Sequence, residues 1–302
     1  MAAPSQREKS FSWSRSTDQA IAGFTAGAVG TITMHPLDVI KTRFQINETK
    51  NKNSIIALIK KIIKNEGVAA FYRGISPNFV GATASWGLFF LWYDLAKVQI
   101  EGNSKAEKLG PTQHLIASSF SGVLTTVLLN PIWVIKTRMV TQRPSDAAAY
   151  KGLIDGLKTV YKTEGFRGFY KGLTPALFGV THGALQVTFY EYLKNARAQY
   201  YHGDVEQMNT LELISFAAIS KTFAAVCCYP YQVIKSRLQV QHEYVEHRYT
   251  GVKNTITSIC RREGIRGFYK GLGVNVIRVL PGTCVTFAVY EAMSKFFRQS
   301  AN

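Results

Sequence analysis

Lys221 and Arg278 are permanent cations near the middle of two long apolar stretches, 213–234 and 272–290. A charge at that depth in a bilayer costs ~3 kcal/mol or more on insertion scales, so such a residue is expected to face a polar cavity. Lys221 precedes Gln232 by 11 residues, which lies within about 20° of whole helical turns and ~16 Å along the axis. Arg278 precedes Glu291 by 13 residues, and an ideal helix turns it about 140° from that face. Pro281 lies between them and can reorient the helix. Two cations near one depth suit a polyanion such as a pyrophosphate or paired carboxylates, Arg as a fork and Lys as a point charge. The blander alternatives are a lysine snorkelling to a helix end and an arginine bonded to backbone carbonyls.

The elements that position these cations repeat. His35–Arg43 (HPLDVIKTR) aligns with 130–138 (NPIWVIKTR) and 229–237 (YPYQVIKSR), the prolines being 95 and 99 residues apart. A second block recurs at 66–74 (EGVAAFYRG), 164–172 (EGFRGFYKG) and 263–271 (EGIRGFYKG). A third begins at Tyr93-Asp94, Tyr190-Glu191 and Tyr290-Glu291. The chain is therefore a triplicated unit of ~100 residues. It divides into a tail (1–19), repeats over 20–97, 112–198 and 210–298, and linkers at 98–111 and 199–209.

Each unit reads as two long helices with a short amphipathic one between. The stretches 20–37, 75–93, 115–135, 173–190, 213–234 and 272–290 are each near the ~20 residues that cross a bilayer core. The expected fold is an all-α membrane protein of six transmembrane helices in a pseudo-threefold, barrel-like bundle, with three short amphipathic helices at one interface. Pro36, Pro131 and Pro230 fall inside helical patterns and are expected to kink the odd helices.

Composition supports this. The net charge of +17 suggests nucleic acid at first. Its distribution argues otherwise. Segments 41–73, 136–172 and 235–270 hold eight Lys or Arg each, with nearly uncharged stretches between them; that is the pattern of a membrane protein with one basic side. Enzyme signatures are missing: no G-x-G-x-x-G, no Walker loop, no H-E-x-x-H, and four cysteines without metal spacing.

The blocks resemble the signature of the mitochondrial carrier family, P-x-[DE]-x-x-[KR]-x-[KR] followed by [DE]-G-x4-[YF]-[KR]-G, from about residue 18 to 298. The resemblance implies a monomeric transporter of the inner mitochondrial membrane, with its basic loops and short helices in the matrix and both termini in the intermembrane space. It implies contact with inner-membrane lipid, cardiolipin at the short helices included. It also implies a gate at each mouth of a central site. Asp38, Lys41, Lys136 and Lys235 fall on the matrix-gate positions. Asp94, Lys97, Glu191, Lys194 and Glu291 fall on the cytoplasmic ones. The chain departs from the pattern where Trp133 and Gln232 replace the second and third matrix acids, and where Ser294 replaces a Lys. Either the matrix gate is weakened, or Trp133 and Gln232 close it by packing and hydrogen bonding.

Trp133 in that place looks like the branch carrying nucleotides, NAD, folate and FAD. The stretches 85–88 (SWGL), 182–186 (HGALQ), 220–224 (SKTFA) and 229–233 (YPYQV) look most like its FAD/folate carriers. The resemblance implies an anionic small-molecule cargo, FAD or folate, with NAD or a pyrimidine nucleotide as the alternative, and no resident cofactor, metal or nucleic acid. It also places substrate contacts on the even helices at Gly81, Phe178-Gly179 and Arg278. An asymmetric cargo requires a site that breaks the threefold symmetry. Lys221 matches Gly27 and Gly122 in the other copies, so Gly27 leaves room opposite it. Trp86 matches much smaller residues and serves either as a stacking platform or as helix packing. Phe89, Gln186 and Thr286 form another unequal set, in which Gln186 can bond a heterocycle edge.

Overall fold

The computed structural model describes residues 6–46, 55–103, 110–143, 146, 149–201, 209–240 and 249–300, and among them there are helices and turns but no strand. The first repeat comprises α1 (Gln6–Ile46), α2 (Ile55–Glu66), a tight turn of helix at Val68–Tyr72, and α3 (Ile75–Asn103). The second comprises α4 (Pro111–Thr141), α5 (Leu153–Glu164), α6 (Phe166–Phe169), α7 (Leu173–Leu177) and α8 (Gly179–Tyr201). In the third, α9 (Thr210–Cys227) and α10 (Tyr229–Gln239) lead to α11 (Val252–Glu263), a tight turn at Ile265–Tyr269, and α12 (Leu272–Ser300). The segment read as a tail over 1–19 is helical from Gln6, residues 1–5 lying outside the described set. Likewise α3 and α8 continue into the segments read as linkers, to Asn103 and Tyr201.

The core sits at the short-helix end, in three equivalent clusters. Ile62 of α2 packs on Ile40 and Phe71, Val160 of α5 on Ile135 and Met139, and Ile259 of α11 on Tyr229 and Val233. Complete burial of one such side chain contributes about 1.5–3 kcal/mol, which fixes each amphipathic helix against its own repeat. Toward the other end large apolar side chains such as Phe24, Leu95, Phe120 and Ile214 point outward, the belt expected of a bundle bathed in lipid.

Neighbouring repeats interlock: α3 lies along α4, α8 along α9, and α12 along α1. Equivalent approaches occur at Gly74, Gly172 and Gly271, with φ of +79°, +74° and +85°, a region L side chains rarely adopt. A Cβ at these positions would stand 3.4, 3.1 and 3.3 Å from the carbonyl oxygens of Lys136, Lys235 and Lys41, each in the following repeat.

The helices α1 and α4 continue through Pro36 and Pro131, each proline standing inside its helix. At Pro230 the chain does break: α9 and α10 meet at 55°, and the proline takes the first turn of α10, where its missing N–H costs nothing. The fourth span, read as continuous, is split at Phe178 into α7 and α8. Tyr190 follows Gly172 by 18 residues, against 19 for the equivalent pairs in the other repeats. One residue fewer rotates the rest of a helix by about 100°, and the break absorbs that rotation. Among single described helices, Thr112–Thr141 alone is apolar enough throughout to cross a membrane by composition, with α9 and α10 qualifying as one bent pair.

Candidate functional site

Three arginines close the short-helix end. Arg43 donates through Nη1 and Nη2 to Glu66 (2.6 and 2.8 Å) and through Nε to the Val140 carbonyl (2.8 Å). Arg138 pairs in the same way with Glu164 and donates Nε to Gln239 O (3.1 Å). Arg237 pairs with Glu263 and donates Nε to Gln45 O (3.1 Å). Each guanidinium thus ties its own short helix to the end of the next repeat, and the three steps return to the start. Burial alone would raise the Glu164 carboxyl, but hydrogen bonds from Arg138 and Lys171 outweigh it and hold it at about 2, against an ordinary 4.5. The sequence reading gave these pairs no role. Their recurrence in all three copies, 23 residues apart in the first and 26 in the others, was the available signal.

Above this ring lies the layer of Lys41, Lys136 and Lys235, with one acid, Asp38. Lys136 Nζ is 3.9 Å from Asp38 Oδ2, and Lys41 donates to Gln232 Oε1 at 3.0 Å. The Trp133 ring accepts two cations, Lys136 at 5.2 Å and Lys235 at 6.0 Å from its centroid. The two residues standing where acids were expected therefore each supply a partner, one by hydrogen bonding and one through its π face. Below the lysines Ser236 donates to Gln45 and Thr137 to Gln239, at 2.8 and 2.9 Å. At the equivalent place between the first two repeats stands Val140.

Asp38 has a second partner. Arg278 Nη1 donates to Asp38 Oδ1 at 2.6 Å. The repeats explain why an arginine is there: Gly81, Gly179 and Arg278 each lie 7 residues beyond Gly74, Gly172 and Gly271. A Cβ on Gly81 would meet Trp133 at 3.3 Å, and one on Gly179 would meet the Tyr231 hydroxyl at 3.2 Å. Two glycines thus seat large rings of the next repeat, while the third position projects a cation onto the only acid of the layer. The Arg278 Nε is buried without a hydrogen-bond partner.

Two cavities occupy the bundle axis. One, of about 530 Å³, is lined by Gly27, Met34, Asp38, Asn78 and Arg278, by all three lysines, and by Trp133 and Tyr231. The other, of about 500 Å³, is lined by Ser85, Trp86, Phe89, Thr126 and Gly179, again with Trp133, Tyr231 and Lys235. These three shared residues are a common wall between a cation-rich chamber and an aromatic one.

Of the residues expected to contact substrate, Arg278, Gly27, Trp86 and Gly179 therefore line a cavity. Gly81 is packed under Trp133, and Phe178, at the α7–α8 break, is exposed and lines neither chamber. Gln186 also lines neither. Lys221 is half-buried, forms no ion pair among the described residues, lies within electrostatic reach of Arg278 and His182, and borders neither cavity. Gly27 and Gly122, its repeat equivalents, do line them. Tyr231, on both walls, was not singled out in the sequence.

At the opposite mouth the charged groups bond within their own helices. Glu191 pairs with Lys194 (3.2 Å) and Glu291 with Lys295 (2.8 Å), while Lys97 lies 5.9 Å over the Tyr93 ring. Among the described residues, none of these groups, nor Asp94, pairs across to another helix. Among the described residues, charged pairs between repeats close one end, and the expected gate groups form none at the other.

The family model described as "Mitochondrial carrier protein" matches residues 12–104, 107–200 and 206–301. A chloroplastic folate transporter of Arabidopsis thaliana is 36% identical over 304 residues, covering 96% of this chain and 97% of the relative. A chloroplastic nicotinamide adenine dinucleotide transporter of the same plant is 36% identical over 285 residues, with 92% and 91% covered. A mitochondrial FAD carrier protein of Saccharomyces cerevisiae is 34% identical over 302 residues, covering 92% and 96%.

Proposed function

Because the chain belongs to the mitochondrial carrier family, a family of transporters, we propose that it moves FAD and/or folate across the inner mitochondrial membrane by alternating access at one central site. The observation that carries this reading is the adjacent pair of chambers. Arg278 and three lysines stand against one acid on one side, and Trp86, Phe89, Trp133 and Tyr231 line the other. A pyrophosphate or glutamate tail fits the first by charge-assisted hydrogen bonding, and a flavin or pterin fits the second by stacking.

The same geometry supplies a mechanism. An anionic group that binds Arg278 competes with Asp38 for the guanidinium. Asp38 is the one carboxylate of the lysine layer, so losing Arg278 redistributes the charge that holds the sealed end. Closing the other mouth requires Asp94, Lys97, Glu191, Lys194 and Glu291 to exchange partners within a helix for partners between helices. The cargo drives this only by binding the intermediate better than either end state.

The sealed end carries the basic segments, which supports a matrix location for it by the positive-inside rule, with the termini in the intermembrane space. A surface hollow lined by Arg167, Lys171 and Gly251 at the start of α11 suits an anionic lipid headgroup such as that of cardiolipin. Each chain holds its own pair of chambers, which supports a functional monomer. FAD or folate is cargo in this reading, and no resident cofactor is invoked.

A second reading, NAD transport, is favoured by the NAD transporter's 36% identity, equal to that of the folate transporter. Proteoliposomes holding the purified chain, offered labelled FAD, tetrahydrofolate, NAD and UTP, test both. Uptake of FAD or folate is expected; uptake of NAD or UTP alone overturns the narrower reading.

A further inference from the structure

The face of α3 that turns toward the axis is unlike its two counterparts. Ala82 lines the cation-rich chamber, Trp86 and Phe89 line the aromatic one, and Tyr93 and Lys97 follow at the open mouth. Steps of 3 and 4 residues keep these positions on one stripe. From Trp86 to Lys97 the stripe climbs ~16 Å. The rings along it are in register: Phe89 and Tyr93 stack with centroids 6.2 Å apart and planes at 8°. Trp86 leans on Phe90 at 5.8 Å and 22°, which holds an indole that is 67% exposed.

The topmost ring is fixed from the neighbouring helix. The Tyr93 hydroxyl and His114 Nδ1 lie 2.6 Å apart, and the two rings stack at 6.3 Å. Lys97 sits 5.9 Å over the same tyrosine. The other repeats have no such ladder: Phe89 is matched by Gln186 and Thr286, and Trp86 by small residues.

We propose that Tyr93, Phe89 and Trp86 form a one-sided aromatic track by which a flat heterocycle passes from the open mouth into the aromatic chamber. The substrate then lies with its ring on the α3 side and its anionic part toward Arg278. The spacing suits this. Phe89 and Tyr93 are close enough that a tricyclic or bicyclic ring meets the second face before leaving the first, so it crosses the charged mouth without losing its stacking partner. The track rests on the proposed function for the nature of the cargo, and its test does not depend on transport.

The probe is riboflavin, a flat ring without phosphate, titrated into the purified full chain in detergent and followed by quenching of its own fluorescence. Saturable binding is expected for the wild type. Phe89→Leu and, independently, Trp86→Leu remove an aromatic face while keeping an apolar side chain, and should weaken binding about five-fold or more. Phe89→Tyr should restore it. Unchanged affinity in both Leu variants, or no saturable binding by the wild type, overturns the track. Riboflavin binding that follows this pattern, with no uptake of FAD, folate or NAD into liposomes, supports the track and overturns the transport reading alone.

Discussion

Arg278 on α12 and Asp38 on α1, 240 positions apart in sequence, are joined by a 2.6 Å charge-assisted hydrogen bond. It stands where the other two repeats bring a glycine against an aromatic ring. The pair links the expected substrate cation to the expected gate acid, so in the proposed mechanism binding and sealing share one carboxylate.

Asp38→Asn should therefore destabilise the form described here. It weakens a hydrogen bond between charged groups, worth about 1.5–3 kcal/mol, and leaves Lys136 without its acid. The thermal midpoint of the detergent-solubilised protein should fall, and Arg278→Ala should lower it as well while abolishing uptake. Transport by Arg278→Ala at the wild-type rate would separate this arginine from the cargo.

The ring of guanidiniums predicts a different kind of loss. Arg138 is fully buried and spends its donors on Glu164 and on Gln239 O. Arg138→Ala should cost about 1.5–3 kcal/mol or more by removing the bidentate partner of Glu164, which keeps only Lys171 at 2.7 Å. Arg138→Lys should recover little, because one ammonium cannot serve the carboxylate and the carbonyl in that geometry. A melting curve within a degree of wild type for either would refute the bracing role.

Acid should expose the same feature. Glu164 is held at about 2 against 4.5, a lowered carboxylate. Its contribution is complete above about pH 4.5 and is lost as pH falls toward 2. Midpoints measured from pH 7 to pH 3 should drop at the acid end, and Glu164→Gln should be less stable at pH 7 yet lose less on acidification. Parallel curves for the two proteins would remove the linkage.

Backbone conformation gives a matched pair. Gly172, at φ +74° and with Lys235 O 3.1 Å from a prospective Cβ, should lose at least about 1–2 kcal/mol on substitution by Ala. Gly152 is extended at φ 178° with nothing within 4 Å, and its Ala variant should melt like the wild type. Equal effects at both sites would contradict the account of how repeats meet.

The open space at Gly27 is testable by function. No atom lies within 4 Å of its prospective Cβ, and it lines the cation-rich chamber. Gly27→Leu should fold and insert but slow uptake by filling that space. Lys221 borders neither cavity, so Lys221→Ala should slow uptake less than Arg278→Ala does. Unchanged kinetics in Gly27→Leu would place the cargo elsewhere.

The triplication, the six long helices and the candidate gates were legible in the sequence, because each is written three times and copies of one motif in one chain fold alike. Periodicity also exposed the unequal positions, Arg278 among glycines and Trp133 and Gln232 in place of acids. Tertiary structure alone decided which side chains those positions meet, since each repeat makes its decisive contacts with the next one, ~100 residues away. Within one repeat, Gly81 looks like a place for cargo; against Trp133 of the following repeat it is a seat for a ring. Arg278 turned toward Asp38, and Lys221 without an ion pair among the described residues, follow for the same reason. Direction on a helix is local, but the occupant of the opposite wall is set by how three units close into a ring.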